Sequence, residues 1–201
     1  MSPRGRRPGG EDTRAAIITA ARSEFARRGY VGTSLRGIAR EAKVDPKLVH
    51  HYFDGKTELF AEVLAFPVDP AQLVARLVAV PREELGEALV RLFLSVWDTP
   101  VGRQRFAALF AAAAANEEHA RMVREFVGRE ILVPLVGRLS EVQDFDADSV
   151  QLRASLGAAQ LIGMGALRYV VKVPALVDAS EEEIVDLLAP TLQRHLFPDS
   201  D

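Results

Sequence analysis

Thr33–Phe60, TSLRGIAREAKVDPKLVHHYFDGKTELF, is the stretch on which the fold turns. Leu35, Ile38, Ala39 and Ala42 fall at i, i+3, i+4 and i+7, which puts one narrow apolar stripe on a short helix. Thr33 or Ser34 can cap its start by accepting a backbone N–H. Lys43-Val44 interrupts the period, and Asp45-Pro46 then supplies a capping carboxylate followed by a proline at the first helical position, where its missing N–H costs nothing. The second helix, Pro46–Phe53, is too short to stand alone in water, so Val44, Val49 and Phe53 must hold it against its neighbours. Its other face carries Lys47, His50, His51 and Tyr52, donors suited to phosphates and base edges. A third helix starts near Lys56. Two short helices around a tight turn place a small recognition helix in the DNA major groove.

A polar helix face taken alone is only a solvated face. Here the turn, the caps and the flanking charge agree, which favours the DNA reading. Through Lys56 the chain carries 12 Lys/Arg against 6 Asp/Glu, and the remainder 13 against 22, so balances of +6 and −9 lie behind the net −3. The basic end can neutralise phosphates, whereas the acidic remainder is repelled by them.

IITAARSEFARRGY, TSLRGIA and the run of His51, Tyr52, Phe53 and Lys56 together resemble the tetracycline-repressor (TetR) family of bacterial regulators, from about Thr13 to Leu64. The resemblance implies that Arg36 reaches a base edge, that Lys47, His50, His51 and Tyr52 are recognition-helix contacts, and that Lys56 meets a phosphate. Thr33 and Ser34 belong to the same expected DNA-binding set. Two positions depart from the family: Lys43 stands where glycine is usual in the turn, and His50 where tyrosine is frequent. A non-glycine residue at positive φ is strained unless the turn is rebuilt.

The chain has 201 residues, 48% hydrophobic and 26% charged, an ordinary globular balance. It contains no cysteine, which excludes disulfides, zinc fingers and thiol catalysis and is compatible with a reducing cytoplasm, the expected location. No apolar run is expected to be long enough for a membrane span, and MSPRGRRPGG lacks the apolar segment of a secretory signal. Arg4, Arg6 and Arg7 resemble a basic arm entering a minor groove; the alternative is a plain leader.

The expected fold is all-α, with about nine or ten helices: a basic arm over residues 1–12, a helix-turn-helix domain over 13–64, and an effector-binding and dimerisation domain over 65–201. Helix one is expected over Thr13–Arg28, burying Ile17, Ile18, Ala21 and Phe25 and ending at Gly29, and helix four over Lys56–Phe66. Asp69-Pro70 and Pro81 open the next two, with Leu85–Val96 in the second. Asp98-Thr99-Pro100 marks a break. Helical patterns follow at Gly102–Ala115, Glu118–Leu139, Ala147–Val171 and Glu181–Leu196, the last opened by a Ser180/Glu183 capping box.

Phe93, Trp97, Phe106, Phe110, Met122 and Phe126 can line an apolar effector pocket or simply pack as core. The family resemblance favours the pocket. Gly157, Leu161 and Gly165 recur at four-residue spacing in a helix rich in small residues, and with Leu188 and Leu192 they form the expected dimer interface; intramolecular packing is the alternative. His50 and His51 point about 100° apart on a helix and make a poor chelate, so no metal or other cofactor is expected. With no nucleophile elbow, phosphate loop or paired catalytic carboxylates, neither is an enzyme.

The reading is a homodimeric regulator, most simply a repressor, that binds a palindromic operator. A small apolar or amphipathic effector releases it by favouring a dimer whose recognition helices no longer match the half-site spacing of about 34–36 Å. Helix four is the expected lever. The alternative is a ligand-independent architectural or partner-binding DNA protein.

Overall fold

The computed structural model describes residues 10–141 and 147–197. Arg4, Arg6 and Arg7, the expected basic arm, lie outside the described residues. The chain divides into two compact units between Phe66 and Pro67.

In the first unit, α1 (Gly10–Gly32) leaves helical geometry at Gly29, with φ 73° and ψ 176°, a conformation that suits glycine because it lacks Cβ. The break carries Tyr30 into the core, where its ring packs 4.8 Å from Phe60 and 6.1 Å from Phe25, while Phe25 and Phe60 meet edge-on at 4.5 Å. Ile17, Ala21 and Phe25 are fully buried, as their spacing predicts, whereas Ile18 is only half-buried. Ser34 caps α2 (Leu35–Glu41) by accepting from the Gly37 N–H at 3.2 Å. The turn after α2 closes with the Lys43 N–H donating to the Arg40 carbonyl at 3.2 Å and the Val44 N–H to the Ala39 carbonyl at 3.0 Å. This is a Schellman motif, and Lys43 occupies its left-handed position at φ 57°. Asp45 then accepts from the Lys47 N–H at 2.8 Å, and Pro46 opens α3 (Pro46–Tyr52).

Helix α4 (Lys56–Val63) stops short of the expected Phe66. A second Schellman motif ends it: Ala65 sits at φ 53°, its N–H donates to Glu62, and the Phe66 N–H donates to Ala61. The chain has therefore turned before it reaches Pro67.

The second unit comprises α5 (Pro70–Val78), a 3-10 turn (Arg82–Glu84), α6 (Leu85–Trp97), α7 (Pro100–Ala115), α8 (Glu117–Val127), α9 (Val133–Glu141), α10 (Ala147–Gly165), α11 (Pro174–Asp178) and α12 (Glu181–Leu196). Asp69, Thr99, Asn116 and Ser180 each cap a start by accepting a backbone N–H. In the Ser180/Glu183 box the Glu183 carboxylate accepts the Ser180 backbone N–H at 2.8 Å, which holds its pKa below the usual carboxylate value. The single pattern expected over Glu118–Leu139 is divided by a π-helical turn, Gly128–Leu132, and a second, Ala166–Val171, ends α10. A helical period does not reveal an i→i+5 insertion, and α11, five residues long, was below its reach. No strand occurs among the described residues.

Helices α6 and α12 form the spine of this unit, burying Val90, Leu94, Ile184, Val185 and Leu192 with Leu161 of α10. One segment, Asp148–Val171, is by length and composition alone long and apolar enough to cross a membrane, a property that the core helix of a folded unit shares. It carries an apolar surface on two sides, one of them packed inside the unit.

Two outcomes follow from these backbones. A Cβ on Gly86 would lie 2.6 Å from the Ala189 carbonyl oxygen and 2.8 Å from the Gln193 nitrogen, so Gly86→Ala must push α6 off α12. We expect a loss of about 1–3 kcal/mol, read as a melting temperature lower by several degrees. Lys43→Gly should instead raise it by about 2–4 °C, because roughly 1 kcal/mol of left-handed strain is relieved. A fall would show that the lysine side chain contributes more than its backbone costs.

Candidate nucleic-acid interface

The face that α3 presents follows from what it buries. Val49 and Phe53 are 0% and 2% exposed, and at about 100° per residue the direction opposite them is centred on His51, flanked by Lys47 and Leu48. Lys47, His50 and His51 are exposed, and Tyr52 is half-buried with its ring edge-on to His51 at 5.1 Å. His50 lies to the side of this face rather than at its centre. Arg36 and Ser34 are exposed on the neighbouring element. On α3 itself, Lys47, His51 and Leu48 place a cation, a ring donor and one apolar group on the outward face. Such a surface can bind phosphates and base edges.

Two residues expected at this surface are used differently. Thr33 is 3% exposed, and its hydroxyl lies 2.8 Å from the Gly29 carbonyl and 3.1 Å from that of Glu24, so it fastens the end of α1. It does not face outward. The Lys56 ammonium donates to the Tyr30 and Thr33 carbonyls at 3.0 and 3.1 Å and sits 4.5 Å from the centre of the Tyr30 ring. Its position at the head of α4 suggested a phosphate contact, but these partners make it first a brace between α4 and the segment following Gly29. Sequence reading also passed over Glu24, 2% exposed, whose carboxylate pairs with Arg27 and, at 3.1 Å, with Arg28. A Cβ on Gly37 would approach that carboxylate to 3.3 Å, so Glu24 also lies against the first turn of α2.

The second unit separates the other two expected sites. Trp97, Phe106, Met122 and Phe126 are buried, Phe93 is half-buried, and Phe110 is 40% exposed. Phe106 lies at the centre, with ring centroids 5.3 Å from Trp97, 6.0 Å from Phe93, 5.4 Å from Tyr169 and 6.2 Å, nearly parallel, from Phe110. Met122 and Phe126 are buried on the core side of α8. None of the six lines the open hollow of about 830 Å³ formed by Met164, Leu176, Ile184, Leu187 and Leu188 with Asp178 and Asp186. Tyr169, which the sequence did not single out, is 5% exposed; its hydroxyl makes no hydrogen bond of normal geometry among the described residues, and burial pushes its pKa up to about 12.

Its neighbour Arg168 is 8% exposed and donates to both carboxylate oxygens of Asp98, at 3.3 and 2.9 Å, and to the carbonyls of Leu176, Val177 and Ala179. Hydrogen bonding to Asp98 raises the Arg168 pKa against the cost of burial. One guanidinium therefore joins the α6–α7 corner, the π turn after α10, and α11.

The expected dimer residues point inward. A Cβ on Gly165 would meet the Phe93 and Phe106 rings at 2.8 Å, and one on Gly157 would meet Leu192 and Leu196 of the same chain at 3.7 and 3.8 Å. Leu161 and Leu192 are 8% and 0% exposed, and Leu188 is half-buried. The small residues thus serve intramolecular packing. It is the opposite side of α10 that stays open: Leu152, Leu156 and Ile162 are 61%, 44% and 43% exposed, with Ala159 and Gly163 between them.

Comparison with known proteins accords with this geometry. HTH-type transcriptional regulator BetI of Agrobacterium fabrum is 28% identical over 190 residues, 92% of this chain and 90% of that protein. HTH-type transcriptional repressor SCO4008 of Streptomyces coelicolor is 42% identical over 69 residues, 30% of this chain and 36% of that one. The crystal structure of NalD, the secondary repressor of the MexAB-OprM multidrug efflux pump in Pseudomonas aeruginosa, shares the fold with a TM-score of 0.52 at 22% identity, covering 96% of this chain and all (100%) of that one. Residues 17–63 match the family described as bacterial regulatory proteins, tetR family, and residues 83–196 match the tetracyclin repressor-like C-terminal domain. With more than half of its length in the second match alone, the chain belongs to the tetracycline-repressor family of transcriptional regulators.

Proposed function

We propose that the protein is a cytoplasmic, effector-responsive repressor that binds a palindromic operator as a homodimer, with α3 in the major groove. The observation that carries this reading is the division of α3: its inner face is sealed by Val49 and Phe53, and its outer face offers Lys47, Leu48 and His51 to a partner. Arg36 and His50 stand beside that surface. The proposed dimer contact is the open apolar side of α10, through Leu152, Leu156 and Ile162, together with Leu187 of α12, which is 80% exposed. This replaces the inward-facing Gly157, Leu161 and Gly165.

For the effector, the supporting feature is the cluster of Phe93, Trp97, Phe106 and Phe110 beside the buried Tyr169 hydroxyl, which makes no hydrogen bond of normal geometry among the described residues, with Phe110 partly open to solvent. An apolar or amphipathic molecule with one hydrogen-bonding group would satisfy that hydroxyl. Binding it would favour a dimer with a different separation of recognition helices.

Operator titrations at several salt concentrations test the docking. Lys47→Ala should reduce the salt slope by about one unit per protomer with little change in base preference. An unchanged slope would remove Lys47, and with it this face, from the interface. Leu156→Arg should yield a monomer by sedimentation and lower operator affinity on the order of 100-fold, since two linked half-sites can no longer be engaged together. A dimeric Leu156→Arg protein with full affinity would place the interface elsewhere. Trp97, the sole tryptophan, gives a fluorescence readout of effector binding, and Tyr169→Phe should weaken any effector that perturbs it.

A further inference from the structure

Leu48 is the odd residue on the outer face of α3. It is 38% exposed, on the far side of His51 from Lys47, although the other two side chains of that face are polar. The inner face is closed by Val49 and Phe53, at 0% and 2% exposed, and Leu48 is directed away from it. An exposed leucine on an ordinary surface needs no explanation. On a helix that enters the major groove it does, because the groove edge of the bases is made almost wholly of donors and acceptors. The C5-methyl of thymine is the apolar exception. Set against cytosine, adenine or guanine, Leu48 would strip water from an amino or carbonyl group and return no hydrogen bond. Against thymine it buries a methyl group.

We propose that Leu48 determines base preference in each half-site by packing on the C5-methyl group of a thymine. The inference rests on α3 docking in the major groove, as proposed above. Lys47, one residue earlier on the same face, would hold the helix to the backbone while Leu48 makes the apolar contact. The expected specificity is thus a methyl group read by shape, beside the polar contacts of His51.

The test uses the full-length protein and an operator obtained by selection from random duplex DNA. Each thymine is replaced in turn by deoxyuridine, symmetrically in both half-sites, which removes the methyl group and leaves the O4 acceptor and base pairing intact. At one position the wild-type affinity should fall about 15-fold, roughly fourfold per half-site, the factor expected for one buried methyl group. Leu48→Ala, at an exposed helical position where alanine is a good helix former, should bind thymine and deoxyuridine operators equally. Leu48→Met should retain the discrimination. If no thymine position responds in the wild-type protein, or if Leu48→Ala still responds, the proposal is overturned. If instead the wild type selects no sequence and Lys47→Ala leaves the salt slope unchanged, the docking itself fails and the proposal falls with it.

Discussion

A helix of seven residues cannot hold its own shape in water, and the N-terminal unit is organised around that constraint. Asp45 and Pro46 start α3, Val49 and Phe53 bury one side of it, and the Lys43 turn fixes the direction in which it leaves α2. Because full burial is confined to two side chains, the exposed side of the helix is free to carry polar groups without loss of the fold. Stability and recognition are thereby assigned to opposite sides of one short element.

The same constraint gives meaning to the residues around α3 that bind nothing external. Thr33 closes the end of α1, Lys56 joins the start of α4 to Tyr30 and Thr33, and the Phe25–Tyr30–Phe60 rings fill the space between α1 and α4. Lys56 combines a cation over a ring with two charge-assisted hydrogen bonds, so its charge is largely satisfied within the unit. Positive charge near a DNA-binding surface does not by itself identify a phosphate contact.

The helix-turn-helix was legible because its signals are local: a cap, a proline and an apolar residue each act within a few positions. The Ser34, Asp45, Asp69, Thr99, Asn116 and Ser180 caps all have this character. The structural roles of Thr33 and Lys56 gave no local signal, because their partners within the unit lie as far as 26 residues away along the chain. Helix α10 posed a different difficulty. It is apolar on two sides, so periodicity located its faces but gave no basis for choosing which one its own chain would cover. Gly165 looked like room for a partner helix and is room for Phe93 and Phe106. Neither Tyr169 nor the Arg168–Asp98 pair carried a local signal, since the pair joins residues 70 positions apart and both side chains are set by the π turn.

The contact of Gly86 with α12 limits how the second unit can move. Its position beneath the Ala189 carbonyl is further fixed by the Gly86 N–H donating to Gln193 and by the Gln193 amide donating to the Arg82 carbonyl. Sliding α6 by one residue would bring Leu85 or Glu87, each with a side chain, into the gap that only a bare backbone fills. The α6–α12 pair therefore behaves as a fixed rail with a single permitted register. Internal rearrangement of this unit is thereby left to the elements packed around the rail, α5, α7 and α10 among them, as rotation or repacking, with no ratchet along it.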